Sequence, residues 1–141
     1  MIKNQWYAVL SSNSVKKGNV IGARRFGENL VFFRNENGEL SLVSSLCAHR
    51  GASLEKGCVQ DGNIKCLFHG IEYDSNGKCV HIPSEGLNSA QDFSRFGLKH
   101  YMVKEIGGIV FAWYGLMTIP CKPVPITKLT AGNYPNHPQT A

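Results

Sequence analysis

Four residues of two side-chain types stand at matched spacings and could bind a metal. One residue separates Cys47 from His49, two separate Cys66 from His69, and sixteen lie between the pairs. One thiolate and one imidazole in each pair are what a [2Fe–2S] cluster requires when two cysteines bind one iron and two histidines bind the other. The pattern therefore predicts one-electron transfer rather than hydrolysis or phosphate chemistry.

Zinc is the main inorganic alternative, because two cysteines and two histidines also form a tetrahedral zinc site. Zinc fingers usually place both cysteines before both histidines, whereas cysteine and histidine alternate in this chain. Gly51, Gly57 and Gly70 fit loops that bend tightly around a cluster. The ligand order favours the cluster, and a zinc-stabilised β binding module is the less favoured alternative.

Length and charge limit the remaining possibilities. The chain has 141 residues, enough for one domain. Its net charge of +5 without a basic run disfavours nucleic-acid binding. The charge suits an acidic redox partner, and the alternative, at least as well supported, is that it only aids solubility. The longest apolar run, residues 109–117, is shorter than the ~20 residues of a membrane span. The N-terminus lacks the pattern of a secretory signal, so we expect a cytoplasmic protein without a membrane partner.

Five cysteines leave three beyond the predicted ligands: Cys58, Cys79 and Cys121. In a reducing compartment we expect these to be free, buried thiols. A disulfide between Cys58 and Cys79 is the alternative.

Short apolar segments separated by turns predict a mainly antiparallel all-β domain. Turn compositions stand at residues 27–29, 35–38, 75–77 and 107–108. One short turn or helix is expected at 89–95. The predicted strands are residues 5–10, 20–26, 30–34, 40–43, 70–74, 79–82, 97–106 and 109–114.

The composition changes after Gly115, where five of the six prolines lie. Proline interrupts both helices and sheet ladders. We therefore expect one domain over residues 1–115 and a proline-rich tail, or a linker toward a further catalytic domain, over 116–141.

The segments 47–54 (CAHRGASL) and 66–74 (CLFHGIEYD), with Gly77-Lys78-Cys79, resemble the Rieske domain of aromatic-ring-hydroxylating oxygenases. The likeness extends over about four-fifths of the chain. It implies stacked antiparallel sheets, with the cluster held by two loops. It also implies that Cys47 and Cys66 bind one iron and that His49 and His69 bind the other.

Three residues distinguish this chain from the Rieske proteins of quinol-oxidising complexes. The cluster loops of those proteins resemble the patterns C-T-H-x-G-C and C-x-C-H-G-S, and a disulfide joins the two loops. In this chain Ala52 and Phe68 occupy the positions of the two disulfide cysteines. Ile71 replaces a hydroxyl donor, so we predict a potential low in the Rieske range. Arg50-Gly51 favours the oxygenase type. Tyr73 either donates to a cluster sulfur or is a packed strand residue.

Oxygenases of this family activate O₂ at a separate iron bound by two histidines and a carboxylate. Only His81, His100 and His137 remain unassigned, and none pairs with a suitable acid in the sequence. We expect an electron-transfer unit, whose partners are a reductase or ferredoxin and an oxygenase catalytic domain. A stand-alone Rieske-type ferredoxin is the alternative.

Overall fold

The computed structural model describes residues 2–47, 53–67, 70–83 and 97–115. This part of the chain is almost entirely β, with two 3-10 helices of three residues each, at Ser12–Ser14 and Leu54–Lys56. The strands are β1 Gln5–Ser11, β2 Val20–Arg25, β3 Glu28–Arg34, β4 Leu40–Ser44, β5 Cys58–Gln60, β6 Asn63–Lys65, β7 Glu72–Tyr73, β8 Cys79–His81, β9 His100–Tyr101, β10 Val103–Ile106 and β11 Ile109–Tyr114.

The strands form three antiparallel sheets. We call β1-β11-β10 the base sheet, β2-β3-β4-β9 the central sheet and β5-β6-β7-β8 the ligand sheet. The ligand sheet carries or adjoins both predicted cluster loops. The prediction of an all-β fold of stacked antiparallel sheets is confirmed.

The central sheet is buried on both faces. Val31 and Phe33 of β3 pack in a core with Ile64 and Tyr73 of the ligand sheet. The alternate residues Leu30 and Phe32 pack in a second core with residues of the base sheet. Successive strand side chains point to opposite faces, which explains why β3 reads as a continuous apolar run.

Most predicted strands and hairpins are present, but the first turn lies earlier than expected. Residues 27–29 were expected to form it, whereas Phe26 and Gly27 have the positive φ values of the turn, 55° and 74°. A phenylalanine is unusual there, and its ring packs against Tyr7, Tyr101 and Tyr114 with centroids 4.7–5.9 Å apart. Aromatic packing thus offsets the backbone strain at this position.

Two features of the sheets differ from the predicted strands. The hairpin of β5 and β6 was not predicted, although Asp61-Gly62, with φ values of 53° and 82°, is a typical hairpin turn. The single strand predicted at 97–106 is two strands: β9 pairs with β4, and β10 pairs with β11. The chain therefore changes sheets at Met102, whose carbonyl accepts the Trp113 N–H at 3.0 Å.

Some predictions lie outside the described residues. These are the turn or helix at 89–95, the tail at 116–141 and Cys121. In the ranges that are described, no helix has the length and apolar character of a membrane span.

Gly77→Ala is expected to lower the free energy of unfolding more than a glycine substitution in open space. Gly77 has a φ of 78°, and a β-carbon there would overlap the Leu98 carbonyl. Backbone strain of about 1–2 kcal/mol plus a steric cost of about 1–3 kcal/mol gives an expected loss of about 3 kcal/mol. Gly18→Ala is the control, because Gly18 has a φ of 75° with no atom nearby. Equal losses in urea denaturation of the two variants would contradict the steric part.

Candidate [2Fe–2S] cluster site

Backbone pairing holds the two ends of the first predicted loop together. Leu46 and Ser53 form an isolated antiparallel bridge. One residue further on each side, the Leu54 N–H donates to the Ser45 carbonyl at 2.6 Å. These two contacts therefore close the loop that starts at Cys47 and whose sequence contains His49.

The second loop connects β6 to β7 of the ligand sheet. The Cys66 N–H donates to the Ile71 carbonyl at 2.8 Å, and the Gly70 N–H donates to the Cys66 carbonyl at 2.9 Å. Gly70 has a φ of 73°, a conformation that residues with a β-carbon rarely adopt. These bonds fix Cys66 at the start of a tight turn.

The two predicted cysteine ligands share one environment. Cys47 and Cys66 are 3% and 1% exposed and belong to the core between the central and ligand sheets. Neither forms a disulfide within the described ranges. Because buried thiolates need compensating donors, a neighbouring polar hydrogen would be required to stabilise a charged sulfur here.

Tyr73 supplies such a hydrogen. Its hydroxyl lies 3.1 Å from Cys47 Sγ, and the residue is fully buried. Of the two roles left open by the sequence, the structure shows the packed aromatic. The hydroxyl is also placed to donate to the Cys47 sulfur when that sulfur is a thiolate, and donation to a cluster sulfur stays a prediction. The strand position of Tyr73 follows from the loop, because β7 begins one residue after Ile71 and turns Tyr73 toward the core.

The structure brings together only half of the predicted ligand set. His49 and His69 lie outside the described residues. Within the described ranges no group of three or more His, Cys, Asp or Glu side chains is arranged to bind a metal ion. The assignment of the four ligands therefore stays a prediction, with its cysteine half in a suitable environment.

The remaining described cysteines differ from each other. Cys58 and Cys79 are both free, so the disulfide alternative is wrong. Cys79 is buried as predicted, but Cys58 is exposed on β5, so the prediction of burial is wrong there. Burial raises the pKa of the Cys79 thiol, the nearby Cys47 charge raises it further, and a hydrogen bond with the His81 backbone partly opposes them.

The described donors fit the cysteine side of a [2Fe–2S] cluster. Two buried thiols on two fixed loops and one hydroxyl donor suit a soft thiolate pair with stabilised charge. The comparison with protein families decides the assignment, since the Rieske [2Fe–2S] domain family matches residues 5–101. This chain belongs to the Rieske [2Fe–2S] domain family. The cofactor of this Rieske domain is a Rieske-type [2Fe–2S] cluster, not zinc.

Relatives of this Rieske domain include oxygenase subunits. The 3-chlorobenzoate-3,4-dioxygenase oxygenase subunit of Comamonas testosteroni is 32% identical over 117 residues, which are 82% of this chain and 27% of that protein. The vanillate O-demethylase oxygenase subunit of Pseudomonas sp. (strain HR199 / DSM 7063) is 33% identical over 113 residues, 80% of this chain and 30% of that protein.

Solved structures agree with the Rieske fold. The terminal oxygenase of carbazole 1,9a-dioxygenase from Novosphingobium sp. KA1 has a TM-score of 0.71 and 32% identity, covering 82% of this chain and 31% of that one. Apo dicamba monooxygenase has a TM-score of 0.72 and 26% identity, covering 81% and 34%. The chain therefore spans about a third or less of these oxygenases and corresponds to their Rieske part, which confirms the resemblance.

Tyr73→Phe is expected to lower the midpoint potential of the Rieske domain. A hydroxyl that donates to Cys47 Sγ favours the more negative, reduced state, so removing the donor favours the oxidised state. The expected shift is on the order of 50 mV, near one tenfold change in the one-electron equilibrium constant. Protein-film voltammetry measures it. Tyr101→Phe is the control, since that hydroxyl donates to Glu28; equal potentials for Tyr73→Phe and the unsubstituted protein would refute the role.

Proposed function

We propose that this chain transfers single electrons as the Rieske portion of an aromatic-ring-hydroxylating-type oxygenase. In this proposal Cys47 and Cys66 hold one iron, and His49 and His69 hold the other. The observation that carries it is the pair of buried thiols with the Tyr73 hydroxyl at 3.1 Å from one of them. When bound, the cluster supplies one-electron chemistry at a potential above that of all-cysteine clusters.

The protein's own contribution is to hold the ligands and exclude water behind them. Two features hold the cysteine backbones in place: the backbone pairing at the ends of the first loop and the turn at Gly70 in the second. The apolar core behind Cys47 and Cys66 lowers the local dielectric, which strengthens the hydrogen bond from Tyr73. Ile71, fully buried, offers no hydroxyl at its position, which supports the prediction of a potential low in the Rieske range.

The proposed partners are a reductase or ferredoxin that supplies electrons and an oxygenase catalytic domain that receives them. The oxygenase relatives support this proposal, because each is about three times as long as the matched region or longer. A stand-alone Rieske-type ferredoxin is the alternative. Mixing the loaded chain with a separately produced oxygenase catalytic domain distinguishes the two, since only the first predicts substrate-dependent reoxidation.

Iron and sulfide analysis with EPR of the dithionite-reduced protein tests the cluster assignment. Two irons and two acid-labile sulfides per chain, with the low average g value of a histidine-ligated cluster, are expected. His69→Cys should shift the spectrum toward that of an all-cysteine cluster or prevent assembly. An unchanged Rieske spectrum in His69→Cys would show that His69 is not a ligand.

A further inference from the structure

Gly57 lies where the two proposed cluster loops meet. It follows the 3-10 helix Leu54–Lys56, which begins at the end of the first loop, and it precedes β5. β5 pairs with β6, which leads into the second loop, and Cys58 stands opposite Lys65 in this pairing. Continuing the antiparallel register by one residue places Gly57 opposite Cys66, a proposed ligand.

The space around position 57, rather than a bend in the chain, requires a glycine. The sequence predicts Gly57 as a residue of a tightly bent loop, but its φ and ψ values of −78° and −169° are extended. A β-carbon at this position would overlap the Lys65 carbonyl oxygen and would lie 3.2 Å from the Leu54 carbonyl oxygen. Gly57 is therefore a point of close approach between two backbone segments.

On one side, this contact is joined to the first loop. The Gly57 N–H donates to the Leu54 carbonyl at 2.9 Å, and the Leu54 N–H donates to the Ser45 carbonyl at 2.6 Å. Ser45 lies two residues before Cys47. Moving Gly57 away from β6 would therefore disturb the bonds that hold the ends of this loop together.

On the other side, the contact is joined to the second loop. The obstacle is the backbone carbonyl of Lys65, which cannot rotate away as the end of a flexible side chain could. The next residue is Cys66, whose N–H donates to the Ile71 carbonyl at 2.8 Å. A side chain at position 57 would thus displace one of the two ligand loops relative to the other.

We propose that Gly57 is a positioning residue for the cluster, because its lack of a side chain sets the separation of the Cys47 loop from the Cys66 loop. The inference rests on the proposed function and adds a residue that acts through two ligands. Groups that bind a cofactor must be held within about 0.5 Å of their productive positions. A cluster bound between displaced loops should therefore be lost more readily.

Loss of the cluster to an iron chelator tests the proposal in the loaded chain. Gly57→Ala should lose its cluster about tenfold faster than the unsubstituted protein, a typical cost of disturbing residues that orient metal ligands. Gly62→Ala is the matched control, with the same substitution at the turn between β5 and β6. Gly62 has a φ of 82° and no atom within 4 Å of an added β-carbon, so its variant should lose the cluster at nearly the unsubstituted rate.

Urea denaturation of the apoproteins separates ligand positioning from stability. Gly57→Ala adds a steric cost without backbone strain, and Gly62→Ala adds backbone strain without a steric cost, so both should lose similar stability. A structural role alone would accelerate cluster loss only in proportion to lost stability. Equal rates of cluster loss in the two variants would overturn the proposal.

Hydrogen exchange of the unsubstituted chain tests the same contact without a variant, and it decides if the Gly57→Ala apoprotein does not fold. The Gly57 and Gly38 amides are matched, since each donates to the carbonyl three residues earlier, at 2.9 and 3.0 Å. Loading the cluster should slow exchange more in a peptide containing Gly57 than in one containing Gly38, and equal slowing would contradict the proposal. Absence of the EPR signal in the unsubstituted chain would refute the proposed function itself.

Discussion

Cys47→Ser is expected to give a folded but colourless protein. Serine oxygen is a hard donor with a high pKa, and it does not replace a soft thiolate on an iron–sulfur cluster. Cys47 is 3% exposed, so no solvent ligand reaches the iron readily in its place. Iron and acid-labile sulfide should fall to a small fraction of the unsubstituted protein, and the EPR signal of the reduced cluster should disappear.

Two other cysteines make the Cys47 experiment specific. Cys58→Ser changes an exposed thiol, and Cys79→Ser changes a buried thiol in the same core as Cys47. Both variants should retain the cluster, and far-ultraviolet circular dichroism should show that Cys47→Ser retains its β structure. A full complement of iron in Cys47→Ser would contradict the ligand assignment. Loss of iron in Cys79→Ser to the same extent would show that core packing, rather than ligation, decides assembly.

The second large effect is expected from Arg34→Met. The Arg34 side chain is 11% exposed, and its guanidinium pairs with both oxygens of Glu105 at 2.8–3.0 Å. It also donates to the carbonyls of Val15 and Gly38 at 2.8 and 2.7 Å and to that of Ser12 at 3.2 Å. Arg34 thus joins β3 to the segment between β1 and β2, to the β3–β4 hairpin and to β10 of the base sheet.

Methionine keeps the apolar stem of Arg34 but leaves these acceptors without their donor. Arg34 is largely buried but Glu105 is 33% exposed, so the ion pair itself should contribute about 1 kcal/mol. The three carbonyls left without a donor raise the expected loss in free energy of unfolding to about 3 kcal/mol. Arg34→Lys should recover only part, because an ammonium cannot reproduce the planar set of donors. Urea denaturation measures all three proteins. Lys99→Met is the control, since the exposed pair with Glu28 should contribute at most about 1 kcal/mol.

The same pair predicts a pH dependence. The hydrogen bond from Arg34 lowers the pKa of Glu105, against a smaller opposing effect of burial. A carboxyl with a lowered folded pKa contributes stability that is present above its unfolded pKa and is lost as pH falls through the folded one. Stability should therefore decline as the pH falls below the ordinary glutamate pKa of about 4.5, and Arg34→Met should show less of this decline. An unchanged acid profile in Arg34→Met would contradict the coupling.

The sequence allowed accurate prediction where a local pattern had one physical solution. The cluster family followed from Cys47, His49, Cys66 and His69, because few sites need that alternation. Strand positions followed from apolar runs such as β11. The turn was predicted at residues 27–29 but begins at Phe26, because its reason is tertiary: the Phe26 ring packs against three tyrosine rings from β1, β9 and β11.

Other features required the folded chain. Leu46 and Leu67 are 53% and 71% exposed, which depends on how the loops leave the sheets and is not encoded in the sequence pattern. The contact of Tyr73 with Cys47 joins residues 26 positions apart. The hairpin at Asp61-Gly62 is a different case, since its turn signal was present and only the three-residue strands were too short to indicate it. The domain boundary at residue 115 and the cytoplasmic location stay predictions.

The double-faced burial of β3 has a consequence for how the molecule opens. Alternate residues of β3 pack in two different cores, one against the ligand sheet and one against the base sheet. Separating either outer sheet would therefore expose apolar side chains of β3 to solvent and weaken the packing of β3 against the other sheet. Backbone amides of both outer sheets should then exchange with deuterated solvent largely through one global opening. A cofactor that binds only the native state raises the free energy of that opening. Amides of β11, across the central sheet from the cluster loops, should therefore exchange more slowly in the loaded protein than in the apoprotein.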